Sequence, residues 1–139
     1  MAERWRAVPG YEKCYEVSDQ GRVRSLTRRV DNGTPSGMTL KGRNLQQYMK
    51  GRRRQYPTVE LSRDGRQRGY QVHTLVLEAF VGPRPPGMFG LHRDDDKSNT
   101  WLDNLYWGTR ADNTEDRKRN GGYSTPAYLA RKGRPRGIR

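Results

Sequence analysis

The amino-acid sequence predicts a small α+β protein, and three observations carry that reading. Short apolar and polar residues alternate in several runs bounded by Gly, Pro and Asp turns, as strands of hairpins do. Val72, Leu75, Val76, Ala79 and Phe80 then recur at the spacing of one helix face. Finally, residues 88–120 read as a strand ending at His92, a polar bend, a short return strand carrying Leu105 and Trp107, and a helix.

In chain order, Pro9-Gly10 marks a turn and Tyr15-Glu16-Val17 a short strand. Asp19-Gln20-Gly21 turns into residues 22–26, with Val17, Val23 and Leu26 inward and Arg22 and Arg24 outward. Residues 27–40, rich in Gly, Pro, Ser, Asn and Thr, read as a loop or linker. Residues 41–54 carry Lys41, Arg43, Lys50, Arg52, Arg53 and Arg54 and no acid, the footprint of a surface that tracks a nucleic-acid backbone. Residues 56–61 and 68–72 flank an Asp64-Gly65 turn, a strong hairpin signal. The helix follows, with His73 at its start, either a metal ligand or a packed residue beside the apolar face. Residues 82–87 (GPRPPG) stop that helix and stiffen the connection to the last hairpin.

The formal net charge of +13 makes a polyanion the expected partner, the alternative being a solvated basic surface. Leu, Ile, Val and Phe supply about 15% of the residues, below the roughly 20% that, with high net charge, warns of disorder. Thin cores are expected, partly offset by three Trp and eight Tyr. Cys14 is the single cysteine, which excludes an intramolecular disulfide and a cysteine-based structural zinc site. No apolar run approaches the roughly 18 residues of a membrane span, and the opening residues lack the apolar core of a signal peptide. A cytoplasmic protein without membrane association or a small-molecule cofactor is expected.

The pattern from His92 to Trp107, H-x-D-x-D-x-x-N-x-x-x-x-N-L-x-W, with Asn113 in the helix beyond it, resembles the ββα-metal core (His-Me finger) of phage-type HNH homing endonucleases. Residues 5–25 are similar to a nuclease-associated module that precedes such cores, of the form W-x-x-[VI]-x-G-[YF]-E-x-x-Y-x-V-S-x-x-G-R-V-[RK]-S. The resemblance implies an N-terminal β-hairpin module with a basic linker over residues 1–54, an HNH nuclease domain over 55–120, and a flexible basic tail over 121–139. It implies cleavage of double-stranded DNA with His92 as general base, Asn104 orienting it, and Asn113 holding one Mg²⁺ or Mn²⁺. For a phage-encoded protein the compartment would be the host cytoplasm.

These residue types suit the chemistry. Phosphodiester hydrolysis needs a base for water and a cation to offset charge on the leaving oxygen. Histidine is neutral near pH 7, and an amide oxygen is an acceptable ligand for a hard cation. Thr109 is placed to cap the helix that carries Asn113. Asp94-Asp95-Asp96 reads as a structural turn closed by Asn99, with Asp95 where the family commonly has glycine; Asp94 and His73 remain further metal candidates. Trp101, Leu105 and Trp107 are expected in the core.

Where many members of the family place a metal-binding Asp before the histidine, this chain has Leu91. Two readings stay open. Either Asn113, phosphate oxygens and water hold the metal, or the chain is a catalytically degenerate DNA-binding protein. DNA phosphates are assigned to Arg22, Arg24, Lys41, Arg43, Arg52, Arg53 and Arg54. They are also assigned to Arg134 and Arg136, whose surroundings resemble an AT-hook core as closely as a generic basic tail.

Overall fold

The structure is a computed structural model, and it describes residues 2–51 and 55–120. Strand β1 (Trp5–Ala7) pairs antiparallel with β2 (Tyr15–Ser18), which pairs with β3 (Val23–Ser25). The expected hairpin is therefore two-thirds of a three-stranded sheet. Val17 and Val23 face each other across it and are fully buried, whereas Leu26 lies past the end of β3 and is half-buried. Gly21, at φ +81°, passes so close to Thr100 that any Cβ would overlap it, and the Leu102 amide donates to the Asp19 carbonyl at 2.8 Å. The Asp19–Gly21 turn is thereby tied to the loop that follows His92.

Residues 27–40 differ from the expected loop. They form a hairpin of β4 (Arg28–Val30) and β5 (Met38–Leu40). Its strands are three residues each and mostly exposed, so no apolar alternation marks them, and only the turn composition of residues 31–37 shows in the sequence. Asp31 and Asn32 accept from the amides two residues on, at 2.9 and 3.2 Å, which is why Asx residues serve there.

Strand β6 (Tyr48–Lys50) lines the edge of β7 (Tyr56–Arg63), which pairs along its length with β8 (Arg66–Gln71). Asp64 at φ 54° and Gly65 at φ 77° form the two-residue turn with both centres left-handed that the Asp-Gly pair favours. Helix α1 (Val72–Phe80) follows without a break and buries Val72, Leu75, Val76 and Leu77. These pack with Val8, Val17 and Val23 of the first sheet, Val59 and Leu61 of β7, and Leu105 farther on. Residues of both segments, 1–54 and 55–120, thus contribute to one core with α1 at its centre. No described helix is long and apolar enough to cross a membrane.

Candidate active site

Strand β9 (Phe89–His92) leaves the stiff connection after α1 and pairs antiparallel with β10 (Leu105–Gly108), with Leu105 opposite His92 and Trp107 opposite Gly90. A 3-10 turn (Leu102–Asn104) feeds β10, and α2 (Arg110–Arg119) follows it. Thr109 caps α2 in a reciprocal capping box with Asp112, so the helix start, and Asn113 one turn in, have a fixed position. The far end of α2 is tied back to the hairpin. Buried Asp116 accepts from the Tyr106 hydroxyl and the Arg119 guanidinium, and Arg119 and Asn120 both donate to the Arg93 carbonyl, at 3.0 and 2.9 Å.

Held at both ends, α2 presents Asn113 to a cleft of about 260 Å³ that His92, Lys97, Arg110, Tyr56 and Phe89 also line. His92 is 1% exposed and His73, from α1, 4%. Their ring centroids lie 4.8 Å apart, with the Tyr56 ring 5.7 Å from His73 and 6.5 Å from His92. Gly90 makes room for this stack: a Cβ there would lie 2.6 Å from His73 Cδ2. Three buried polar atoms in this region have no hydrogen-bond partner, His73 Nδ1, His92 Nε2 and the Asn113 side-chain oxygen. Buried polar groups are almost always satisfied, so the two orphans on residues that line the cleft, His92 and Asn113, point to a ligand.

Burial pushes the His73 pKa down to about 4, with help from the nearby Lys97 charge. It pushes that of His92 down to about 2, with further contributions from His73 and Lys97. Both rings are therefore neutral at neutral pH, and His92 keeps a lone pair free for a proton.

Two of the sequence assignments change. Asn104 is buried close to His92 in the chain path, but no hydrogen bond joins the two among the described residues. Its side-chain oxygen accepts from the Asp94 amide at 3.1 Å, and its nitrogen donates to the Asp94 carboxylate at 2.9 Å and the Asn99 carbonyl at 3.0 Å. Asn104 braces the loop leaving His92, while the rings of His73 and Tyr56 lie against the imidazole. Asp94 is likewise engaged in the loop: its carboxylate accepts from the Asp96 amide, Asn99 and Asn104, and Asp94 is not among the residues that line the cleft. The turn reading of residues 94–96 stands, with Asp95 at φ 59° in the place of a glycine and Asn99 closing the loop.

Leu105 is buried and Trp107 half-buried, its indole donating to the Gly82 carbonyl at 3.1 Å, but Trp101 is 51% exposed and outside the core. Arg22 pairs with Glu3, and Arg24 pairs with Glu16 at 2.7 Å and lies over the Trp5 ring at 3.9 Å. Lys41 and Arg43 are exposed and form no ion pair among the described residues. Arg52, Arg53, Arg54, Arg134 and Arg136 lie outside the described residues, as does the tail over 121–139. Sequence reasoning missed Tyr56 and Lys97 as cleft residues, and nothing in their spacing from His92 signals that they would meet it.

Residues 3–76 match the family model described as the NUMOD4 motif, and residues 70–115 match the model described as HNH endonuclease. The two matches meet at the junction of β8 and α1. Among curated proteins the chain is similar to "DNA endonuclease I-HmuI" of Bacillus phage SP01, 32% identical over 117 residues, covering 84% of this chain and 59% of that protein. Among solved structures it is similar to one described as "DNA binding and cleavage by the HNH homing endonuclease I-HmuI". There the TM-score is 0.61 and the identity 30%, covering 84% of this chain and 58% of the other. The chain thus spans less than two-thirds of the length of the relative it matches. With the NUMOD4 match over more than half its length, the chain belongs to the NUMOD4 family, and His92 and Asn113 meet at one cleft within the segment that matches HNH endonuclease.

Proposed function

We propose that this chain is a metal-dependent endonuclease that hydrolyses phosphodiester bonds of double-stranded DNA in the host cytoplasm. The observation that carries the proposal is the pair of orphaned acceptors, His92 Nε2 and the Asn113 oxygen, on residues that line one cleft. His92 takes the proton from a water as its oxygen attacks phosphorus in line. The bond from phosphorus to the 3′ oxygen breaks, leaving a 5′-phosphate and, once water protonates the leaving oxygen, a 3′-hydroxyl. Burial makes His92 a weak base in the free protein. A phosphate anion docking beside it favours the protonated ring and raises its basicity at the moment of need.

Among the described residues no three His, Cys, Asp or Glu side chains group to hold a metal. The unpartnered Asn113 oxygen nevertheless fits Mg²⁺ or Mn²⁺, hard cations that accept one or two protein oxygens and complete their shell with phosphate oxygens and water. Asn113 would hold the ion, with His73 a further candidate, and the ion would stabilise charge on the leaving oxygen. Leu91, buried at 6% exposure, adds no ligand. Lys41, Arg43 and the basic residues beyond the described segments would engage the duplex backbone.

Incubation of the protein with supercoiled plasmid and Mg²⁺ or Mn²⁺ tests the reading. Conversion to nicked or linear DNA is expected, lowered about 10²- to 10⁴-fold in His92→Ala, the usual contribution of a positioned base. Salt-sensitive binding without conversion under either metal would contradict it and identify a non-cleaving DNA-binding protein.

A further inference from the structure

No carboxylate lines the cleft that holds His92 and Asn113, and two cationic side chains do, Lys97 and Arg110. The two differ in how they are held. Arg110 is the exposed first residue of α2. The Lys97 side chain is only 15% exposed, and its ammonium group donates to the Asp95 carboxylate, itself 14% exposed, at 2.8 Å. Long flexible lysines are rarely ordered in this way, and the pairing is not needed to close the loop. Hydrogen bonds from Asp94, Asp96, Asn99 and Asn104 already close it. Asp95 also adopts φ 59°, a left-handed conformation that Asp tolerates and glycine favours, and a glycine there would supply no carboxylate.

We propose that Lys97 is a further catalytic residue, whose ammonium group, aimed by Asp95, contacts the scissile phosphate and offsets the charge that builds on it during attack. The inference rests on the nuclease reading of the cleft. Lys97 and His92 line the same cleft, and the Lys97 charge helps to lower the pKa of both imidazoles. A fixed cation in a cleft with a single amide ligand takes on part of the electrostatic work, and groups aimed at developing charge are typically worth 10²- to 10³-fold in rate.

The test compares the wild-type protein with Lys97→Met and Lys97→Arg in three measurements. These are plasmid cleavage at saturating protein with Mg²⁺, duplex binding in metal-free buffer across a salt series, and thermal melting. Lys97→Met is expected to cleave about 100-fold more slowly and to lose about 0.9 from the slope of log affinity against log salt, the signature of one phosphate no longer neutralised. Its melting temperature should stay near that of wild type. Lys97→Arg, which keeps the charge, should keep the wild-type slope. Wild-type cleavage by Lys97→Met overturns the proposal. So does slower cleavage with an unchanged slope and a lowered melting temperature, which would make Lys97 a loop clip. Should the wild-type protein cut no plasmid at all, the nuclease reading falls separately. The metal-free slope still decides whether Lys97 meets a phosphate, an unchanged slope overturning it and a reduced slope upholding it.

Discussion

At the scale of single residues, the burial that shapes the cleft also sets a measurable pH dependence. His73 and His92 titrate near their ordinary value of 6.5 in the unfolded chain but only at about 4 and about 2 in the folded one. Below pH 6.5 the unfolded state therefore binds protons that the folded state refuses, so stability is full above about 6.5 and falls as the pH drops through 4. Urea midpoints at pH 7.5 and pH 5 should show that loss, and His73→Leu should make it smaller. Equal midpoints in the wild-type protein would contradict the burial of the two rings. The residues of this cleft were only partly legible in the sequence. The spacing from His92 to Asn113 is legible because a strand, a bend, a return strand and a capped helix have fixed geometric consequences. The neighbours of the imidazole are not. His73 and Tyr56 reach it from α1 and β7, and no local pattern states that those elements cross there. Asn104 was singled out in the sequence, but its hydrogen bonds to Asp94 and Asn99 were not legible, because the loop acceptors and donors it satisfies appear only once the bend folds.

Among the elements, the β9–β10 hairpin depends on Gly90, whose missing side chain admits the His73 ring. Gly90→Ala should cost about 1 to 3 kcal/mol, as overpacking of a filled site does, and should lower cleavage more than DNA affinity. A denaturation curve and a binding isotherm on one preparation separate the two effects. Unchanged stability would mean that the rings yield easily and are not held by the strand. At this scale legibility follows how much of each element is buried. The Asp64-Gly65 hairpin and α1 were readable because their apolar residues face one core at regular spacing. Strands β1, β4 and β5 were not, being three residues long with little or no buried face.

For the whole molecule, composition correctly pointed to a basic protein with little aliphatic residue to spare, and the structure shows how it copes. One core around α1 serves both the N-terminal sheet and the HNH hairpin. The net charge of +13 is not uniformly available, since Arg22 and Arg24 are engaged by Glu3 and Glu16 while Lys41 and Arg43 form no ion pair among the described residues. Replacing Lys41 and Arg43 together by Ala should therefore lower the salt slope of duplex binding by nearly 2, about 0.9 for each phosphate that is no longer neutralised. Replacing Arg22 should lower it less, because its charge is already offset. Equal effects would mean that DNA breaks the pair with Glu3.

On the proposed reading, His92 and Asn113 act together on one phosphate. Single-turnover plasmid cleavage by His92→Ala, Asn113→Ala and the double variant, at protein concentrations that saturate the DNA, tests it most directly. Residues that act as a unit are strongly non-additive, so the double variant should be no slower than the worse single variant within about tenfold. Single variants that cleave as fast as wild type, or losses that multiply in full, would contradict the account.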